Sequence, residues 1–297
     1  MPARGRLAPT PTGLLHVGHA RTFATAATRA ADRLVFRLED LDPARCRPEF
    51  AAAAVEDLRW LGLVWQEGPD CGGPCGPYRQ SERGERYRAA WRRLAAGRSI
   101  YPSPHSRRDL EQAATAPHHE GGESIFPPEF RPRDWPLPTS PGGVPWRFRV
   151  PDGRVISFVD GRLGVVQRTA GVDFGDFVVW RREDLAAYEL AVVVDDHLMQ
   201  IEEVVRGEDL LTSTARQLLL FEALGWPPPR FFHTPLLTDA AGRRLAKRSG
   251  GLAIRRLRQA GLPAHAVLQS PLEELARSAN GPPGTRTQNL RFKRPLL

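Results

Sequence analysis

Ten of the chain's 28 prolines fall between Tyr101 and Val150. Proline fixes φ and removes a backbone donor, so long helices are excluded over much of that stretch. Its charges nearly cancel, and it reads as an inserted domain of short strands and irregular structure. On either side the texture is different. Leu34–Leu38 is a short apolar, partly β-branched run that reads as a strand and ends in the acidic cluster Glu39, Asp40 and Asp42. The spacing predicts helices over Glu49–Leu61 and Ser81–Leu94, the second opening on an N-cap at Ser81-Glu82. Beyond the insertion, Phe177–Trp180 reads as a strand, Ala186–Val194 as a helix and Gln200–Val205 as a strand. A helix capped near Thr212-Ser213-Thr214 and ending at Gly225 follows, then a strand from Phe231 to Thr234. Strands alternating with helices imply an α/β fold, a doubly wound parallel sheet interrupted by the insertion. The expected divisions are 1–98, 99–175, 176–251 and 252–297.

Composition narrows the class. At 297 residues, with 41% hydrophobic and 26% charged side chains, the chain is ordinary globular material. No apolar run approaches the ~20 residues of a membrane span, so no membrane partner is expected. Cys46, Cys71 and Cys75 cannot form a disulfide framework in a chain this long, which points to a reducing compartment and a cytoplasmic location. A monomer is expected. Four arginines (4, 6, 21 and 29) precede the first acid, Asp32, as in a transit peptide; that stretch nonetheless carries the most informative motif and reads as part of the mature fold. Lys+Arg 42 against Asp+Glu 34 leaves +8, a balance suited to a polyanion. Half of it lies in residues 281–297, where Arg286, Arg291, Lys293 and Arg294 have no acid among them, so any case for nucleic acid rests on motifs.

The first motif runs from Arg6 through Pro9-Thr10-Pro11-Thr12-Gly13 to His16-Val17-Gly18-His19, a Pro/Gly turn opening an Ala-rich helix from about Gly18 to Ala31. Gly18 allows close approach of backbone to a ligand, and a helix N-terminus favours negative charge. His16 and His19 share one face of the first turn and can donate to phosphate oxygens. Taken alone, the pair reads more readily as two surface histidines at a helix start. The second motif is Leu237 to Gly251, a glycine-flanked basic loop in which Lys247 can neutralise charge growing on a triphosphate. By itself it reads as a solvated basic turn.

Together, in this order, HVGH and Arg244-Leu-Ala-Lys-Arg248 resemble the HIGH and KMSKS signatures of class I aminoacyl-tRNA synthetases. In the second, Arg244 stands for the first lysine and Ala246 for the serine. Six segments then resemble glutamyl-tRNA synthetases: Arg6 to Gly13, Arg37-Leu-Glu39-Asp-Leu-Asp42, Gly76 to Arg83, Asp176-Phe-Val-Val, Val194-Asp-Asp196 and Val205 to Leu210. That family has a Rossmann-type catalytic domain split by an acceptor-stem-binding insertion. Only 46 residues follow Gly251, too few for the helical anticodon-binding region, so the resemblance narrows to glutamyl-Q tRNA(Asp) synthetases.

The resemblance implies adenylation of L-glutamate by ATP with Mg²⁺, and transfer of the glutamyl group to queuosine in the anticodon of tRNA(Asp). It assigns ATP binding to His16, Gly18, His19 and Lys247, with His16, His19 and Lys247 catalytic, and glutamate binding to Arg6, Thr10, Glu39, Tyr188 and Arg206. The chemistry is coherent, because two carboxylates and an ammonium call for a guanidinium fork and an acidic acceptor. Arg206 is the candidate for the side-chain carboxylate, Glu39 for the amino group and Tyr188 for a directional hydroxyl. Without the resemblance, Tyr188 reads as a core aromatic, and Glu39 and Arg206 as members of structural ion pairs. The zinc positions of relatives hold Ser103, His105, Phe126 and Phe130, of which only His105 could coordinate, so no structural zinc is expected and aromatic packing of Phe126 and Phe130 replaces it. His118, His119 and Glu120 read as a solvated loop, and residues 281–297, which lack any period, as an aberrant end or a basic RNA-contacting arm. Rival readings are a truncated glutamyl-tRNA synthetase charging tRNA(Glu), a non-catalytic RNA- or nucleotide-binding relic, and a small-molecule nucleotidyltransferase.

Overall fold

The structure is a computed structural model that describes residues 3–105, 125–237 and 252–275 apart from 273. Lys247 with its basic loop, the His118-His119-Glu120 segment and residues 281–297 therefore lie outside the described residues. The chain divides into two compact units, each discontinuous in sequence.

The first unit comprises residues 1–79, 205–208 and 234–297. Strand β1 (Gly5–Leu7) leads through helix α1 (Val17–Ala30) to β2 (Leu34–Phe36), which pairs parallel to β1 with Arg6 opposite Val35. A parallel pair needs such a crossover, and the Ala-rich helix supplies it. All three residues of each strand are buried, as expected where both faces of a parallel sheet are covered. The pairing runs on past the strands, through Arg37 N–H to Leu7 O and Glu39 N–H to Pro9 O. Helix α2 (Pro48–Trp60) starts on proline, whose fixed φ suits the first helical position.

The second unit comprises residues 80–204 and 209–233. It holds α3 (Gly84–Ala96), β3 (Ile100–Pro102), β4 (Trp146–Phe148), β5 (Val155–Asp160), β6 (Gly164–Thr169), β7 (Phe177–Trp180), α4 (Tyr188–Leu198) and α5 (Leu211–Leu224). Strands β8 (Glu203–Gly207) and β9 (Arg230–Thr234) each belong to it in part. One sheet is antiparallel in the order β3-β4-β7; the other runs β6-β5-β9-β8, with β5 antiparallel to β6 and parallel to β9. Trp91, Trp146 and Trp180 are fully buried, Trp91 edge-on to Trp146 at 4.9 Å. The α/β class and its parallel strand pairs agree with the reading from sequence. Two short helices, α6 (Ile254–Gln259) and α7 (Ala264–Gln269), follow and belong to the first unit.

Three local expectations need correction. Helix α3 begins at Gly84, not Ser81, because Gln80 and Arg83 turn their side chains to the buried Asp195 and the intervening residues form a 3₁₀ turn. Helix α5 begins at Leu211 without a side-chain cap. Thr214 lies inside it, bonding back to Leu210 O and meeting His233 Nε2 at 3.0 Å. Strand β8 begins at Glu203, because Gln200 adopts φ 54° as the chain leaves α4.

Candidate active site

The entrance to α1 is built from its own two histidines. His16 is the N-cap residue, and its Nδ1 accepts the Gly18 N–H at 3.1 Å. The His16 N–H in turn donates to His19 Nδ1 at 3.2 Å, completing a reciprocal cap in which imidazoles replace the usual Ser and Glu. The rings lie 3.8 Å apart and tilted by 34°. Because each Nδ1 accepts a backbone proton, the neutral rings carry their own proton on Nε2. Two Nε2–H donors thus arise from one helix N-terminus, where the backbone dipoles already favour an anion. Gly18 has a definite job here: a Cβ at this position would lie 2.9 Å from His16 Cε1 and 3.0 Å from Nδ1. The glycine makes room for the His16 ring.

A few residues away, Arg6 is buried on β1 and its Nη1 donates to Val205 O at 3.0 Å, next to Arg206 on β8. Arg206 is buried as well. Glu39 is 7% exposed and pairs with Arg37, which is fully buried, at 3.0 Å. The ion-pair reading of Glu39 is therefore realised, with Arg37 the partner that sequence reasoning did not single out. The signal was present, since residues i and i+2 of an extended segment share a face. Thr10 is exposed in the turn whose neighbour Pro9 accepts from Glu39 N–H. All of these residues belong to the first unit. Tyr188 opens α4 in the second and is 38% exposed, so it is not a core aromatic.

Described residues on either side of 238–251 make contacts within the first unit. Leu236 N–H donates to the Glu208 carboxylate at 3.2 Å. On the far side, Ala253 bridges His16, and Ile254 N–H donates to Leu15 O at 2.8 Å.

The second unit holds three buried polar networks, two of them centred on acids of the family-like segments, Asp195 and Asp176. Asp195 receives Arg83, Gln80 and Tyr87; Asp176 receives Arg131, Tyr101 and the Val150 N–H; and Asp160 receives His233, whose other nitrogen meets Thr214. The Tyr101 phenol is pushed up by burial and by Asp176.

At the four positions where the resemblance places zinc ligands, the side chains pack against one another and against Arg147. Ser103 is buried and accepts from Arg147 Nε; Arg147 lies 4.2 Å over the Phe126 ring; His105 stacks on Phe130 at 4.1 Å; and Phe126 meets Phe130 edge-on at 6.0 Å. Of these four residues only His105 carries a group of zinc-ligand type. No cluster of three His, Cys, Asp or Glu suited to a metal occurs among the described residues. Among them, too, no helix is long and apolar enough to cross a membrane.

The chain matches the family model of tRNA synthetases class I (E and Q), catalytic domain, over residues 2–273. It is 47% identical over 268 residues to the glutamyl-Q tRNA(Asp) synthetase of Nitratidesulfovibrio vulgaris, covering 88% of this chain and 82% of that protein. It is 47% identical to the protein of the same name from Symbiobacterium thermophilum, covering 89% and 84%. Its fold resembles the crystal structure of glutamate-tRNA synthetase from Elizabethkingia anophelis, with a TM-score of 0.72 and 32% identity over 84% of this chain; there the chain spans about half, 53%, of the solved enzyme. The chain belongs to the class I tRNA synthetases of the E and Q family, in their glutamyl-Q tRNA(Asp) synthetase branch.

Proposed function

We propose that this enzyme activates L-glutamate with ATP and transfers it to queuosine in the anticodon of tRNA(Asp). What carries the reading is the 47% identity to two glutamyl-Q tRNA(Asp) synthetases over more than four-fifths of their length. In the first step the glutamate α-carboxylate attacks the α-phosphorus of ATP in line, and the bond to pyrophosphate breaks. Positioning and charge neutralisation supply the rate, so no enzyme nucleophile is needed. His16 and His19 hold phosphate oxygens through their Nε2–H groups, while Lys247 neutralises the departing pyrophosphate, a charge Mg²⁺ shares when bound with ATP.

On the glutamate side, Arg206 takes the side-chain carboxylate as a two-pronged donor, and Arg6 adds positive charge beside it. Glu39, held by Arg37, takes the ammonium, with Thr10 close by in sequence register. Tyr188 supplies a directional hydroxyl on the strength of the family resemblance. In the second step a hydroxyl of the queuosine cyclopentene ring attacks the mixed anhydride and AMP leaves. Residues 99–175 are the inserted domain, and the packing of Phe126, Phe130 and His105 supports a fold of that insertion without zinc. The enzyme acts as a cytoplasmic monomer.

Glutamate-dependent exchange of labelled pyrophosphate into ATP tests the activation step. Exchange that requires glutamate supports it. No exchange, with or without tRNA, sides with a non-catalytic relic.

A further inference from the structure

We infer that Thr22 and Thr234 are positioning residues, a hydroxyl relay that fixes the backbone of Arg206 against the HVGH helix. The inference rests on the proposed function for the roles of that helix and of Arg206. Thr22 lies on α1 one turn beyond His19, and its Oγ1 is 2.9 Å from Thr234 Oγ1 at the end of β9. Thr234, 7% exposed, donates its single hydroxyl proton to Arg206 O at 3.2 Å. The bond between the two threonines must therefore be donated by Thr22, and the relay has one direction: Thr22 to Thr234 to Arg206. Such a chain polarises itself, and each link strengthens the next.

Two further contacts give the relay its meaning. Val205 O, the carbonyl just before Arg206 O, accepts from Arg6 Nη1 at 3.0 Å. Successive carbonyls of a strand point to opposite sides. The end of β8 is thus clamped from one side by Arg6 and from the other by Thr234, and the Arg206 side chain projects from a fixed mount. The other threonines of α1 show what Thr22 forgoes. Thr25 and Thr28 each bond back to the carbonyl four residues earlier, at 2.9 and 3.0 Å, the usual fate of a helical threonine.

Thr234→Val keeps the shape and removes the hydroxyl. We expect it to lower kcat/KM for glutamate about tenfold in pyrophosphate exchange, with the KM for ATP within about twofold of wild type. Thr234→Ser restores most of the loss. Thr22→Val costs less alone, and the double Val variant is no worse than Thr234→Val, because the two share one relay. Thr28→Val is the control with unaltered activity. Thermal melts confirm that each variant is folded. Thr234→Val exchange within twofold of wild type, or failure of Thr234→Ser to recover, overturns the relay while leaving the proposed function intact. A wild-type protein that neither exchanges nor is stabilised against melting by a non-hydrolysable glutamyl-adenylate analogue refutes the proposed function and this inference with it.

Discussion

Gly18→Ala puts the reading of the HVGH turn under the strictest test. Ordinary van der Waals contact begins near 3.4 Å, and the new methyl would sit 2.9 Å from His16 Cε1 and 3.0 Å from Nδ1. The ring must swing away, and in doing so it gives up the 3.1 Å bond from Gly18 N–H. Losing a helix cap costs about 1 kcal/mol. Replacing glycine by alanine in a helix returns up to ~1 kcal/mol. Stability should therefore change little, with a melting temperature within about 3 °C of wild type. Activity should not survive so well. If the displaced His16 no longer donates to the phosphoryl group, the loss is that of one preorganised donor, about 10²–10³ in rate. Pyrophosphate exchange and a thermal melt on the same preparation separate the two effects. His16→Ala should show a similar loss, and adding it to Gly18→Ala should cost little more. Exchange within about threefold of wild type, at unchanged melting temperature, would show that the His16 ring has no part in the chemistry.

Other perturbations address binding, stability and metal. Arg206→Lys removes the planar fork, and the KM for glutamate should rise about 10–100-fold while that for ATP stays put; equal changes in both would contradict the assignment. Asp195→Ala leaves Arg83 buried without its carboxylate and should cost about 3–5 kcal/mol in urea unfolding. Asp57, fully buried on α2 with no hydrogen-bond partner at either oxygen among the described residues, has its carboxyl pushed up by burial against the opposing pull of Arg255 and Arg258. The folded state then holds the proton more tightly than the unfolded chain, so this group's contribution to stability falls as pH rises past the ordinary carboxylate range. Asp57→Asn should be more stable than wild type near pH ~7, with the advantage shrinking toward about pH 4; a pH-independent difference would be the wrong result. Elemental analysis of purified protein should find no stoichiometric zinc, and a chelator should leave the melting temperature unchanged.

What could be read from sequence was whatever local chemistry decides. Strand β7 appears at Phe177–Trp180 as its apolar run predicts, and α5 ends at Gly225, which takes φ 65° as a left-handed stop requires. Misplaced helix starts share one cause. Gln80, Arg83 and Thr214 are polar residues claimed by partners far along the chain, Asp195 for the first two and His233 for the third, so the local cap rules did not apply. The same holds for the site. At the HVGH turn the three-residue spacing places two imidazoles together at the helix start, and the rings are found side by side there. Arg37 stands two residues from Glu39 in an extended segment, and that spacing alone marks it as the partner. The Thr22–Thr234 bond joins residues 212 apart, and no sequence pattern marks it.

The acceptor decides the central claim. Labelled glutamate, ATP and the enzyme should be incubated with tRNA(Asp) carrying queuosine, with the same tRNA lacking it, and with tRNA(Glu). The account predicts label on queuosine-containing tRNA(Asp) alone, retained after the 3′ end is trimmed away. Label on the 3′ end of tRNA(Glu) in preference to it would contradict the account.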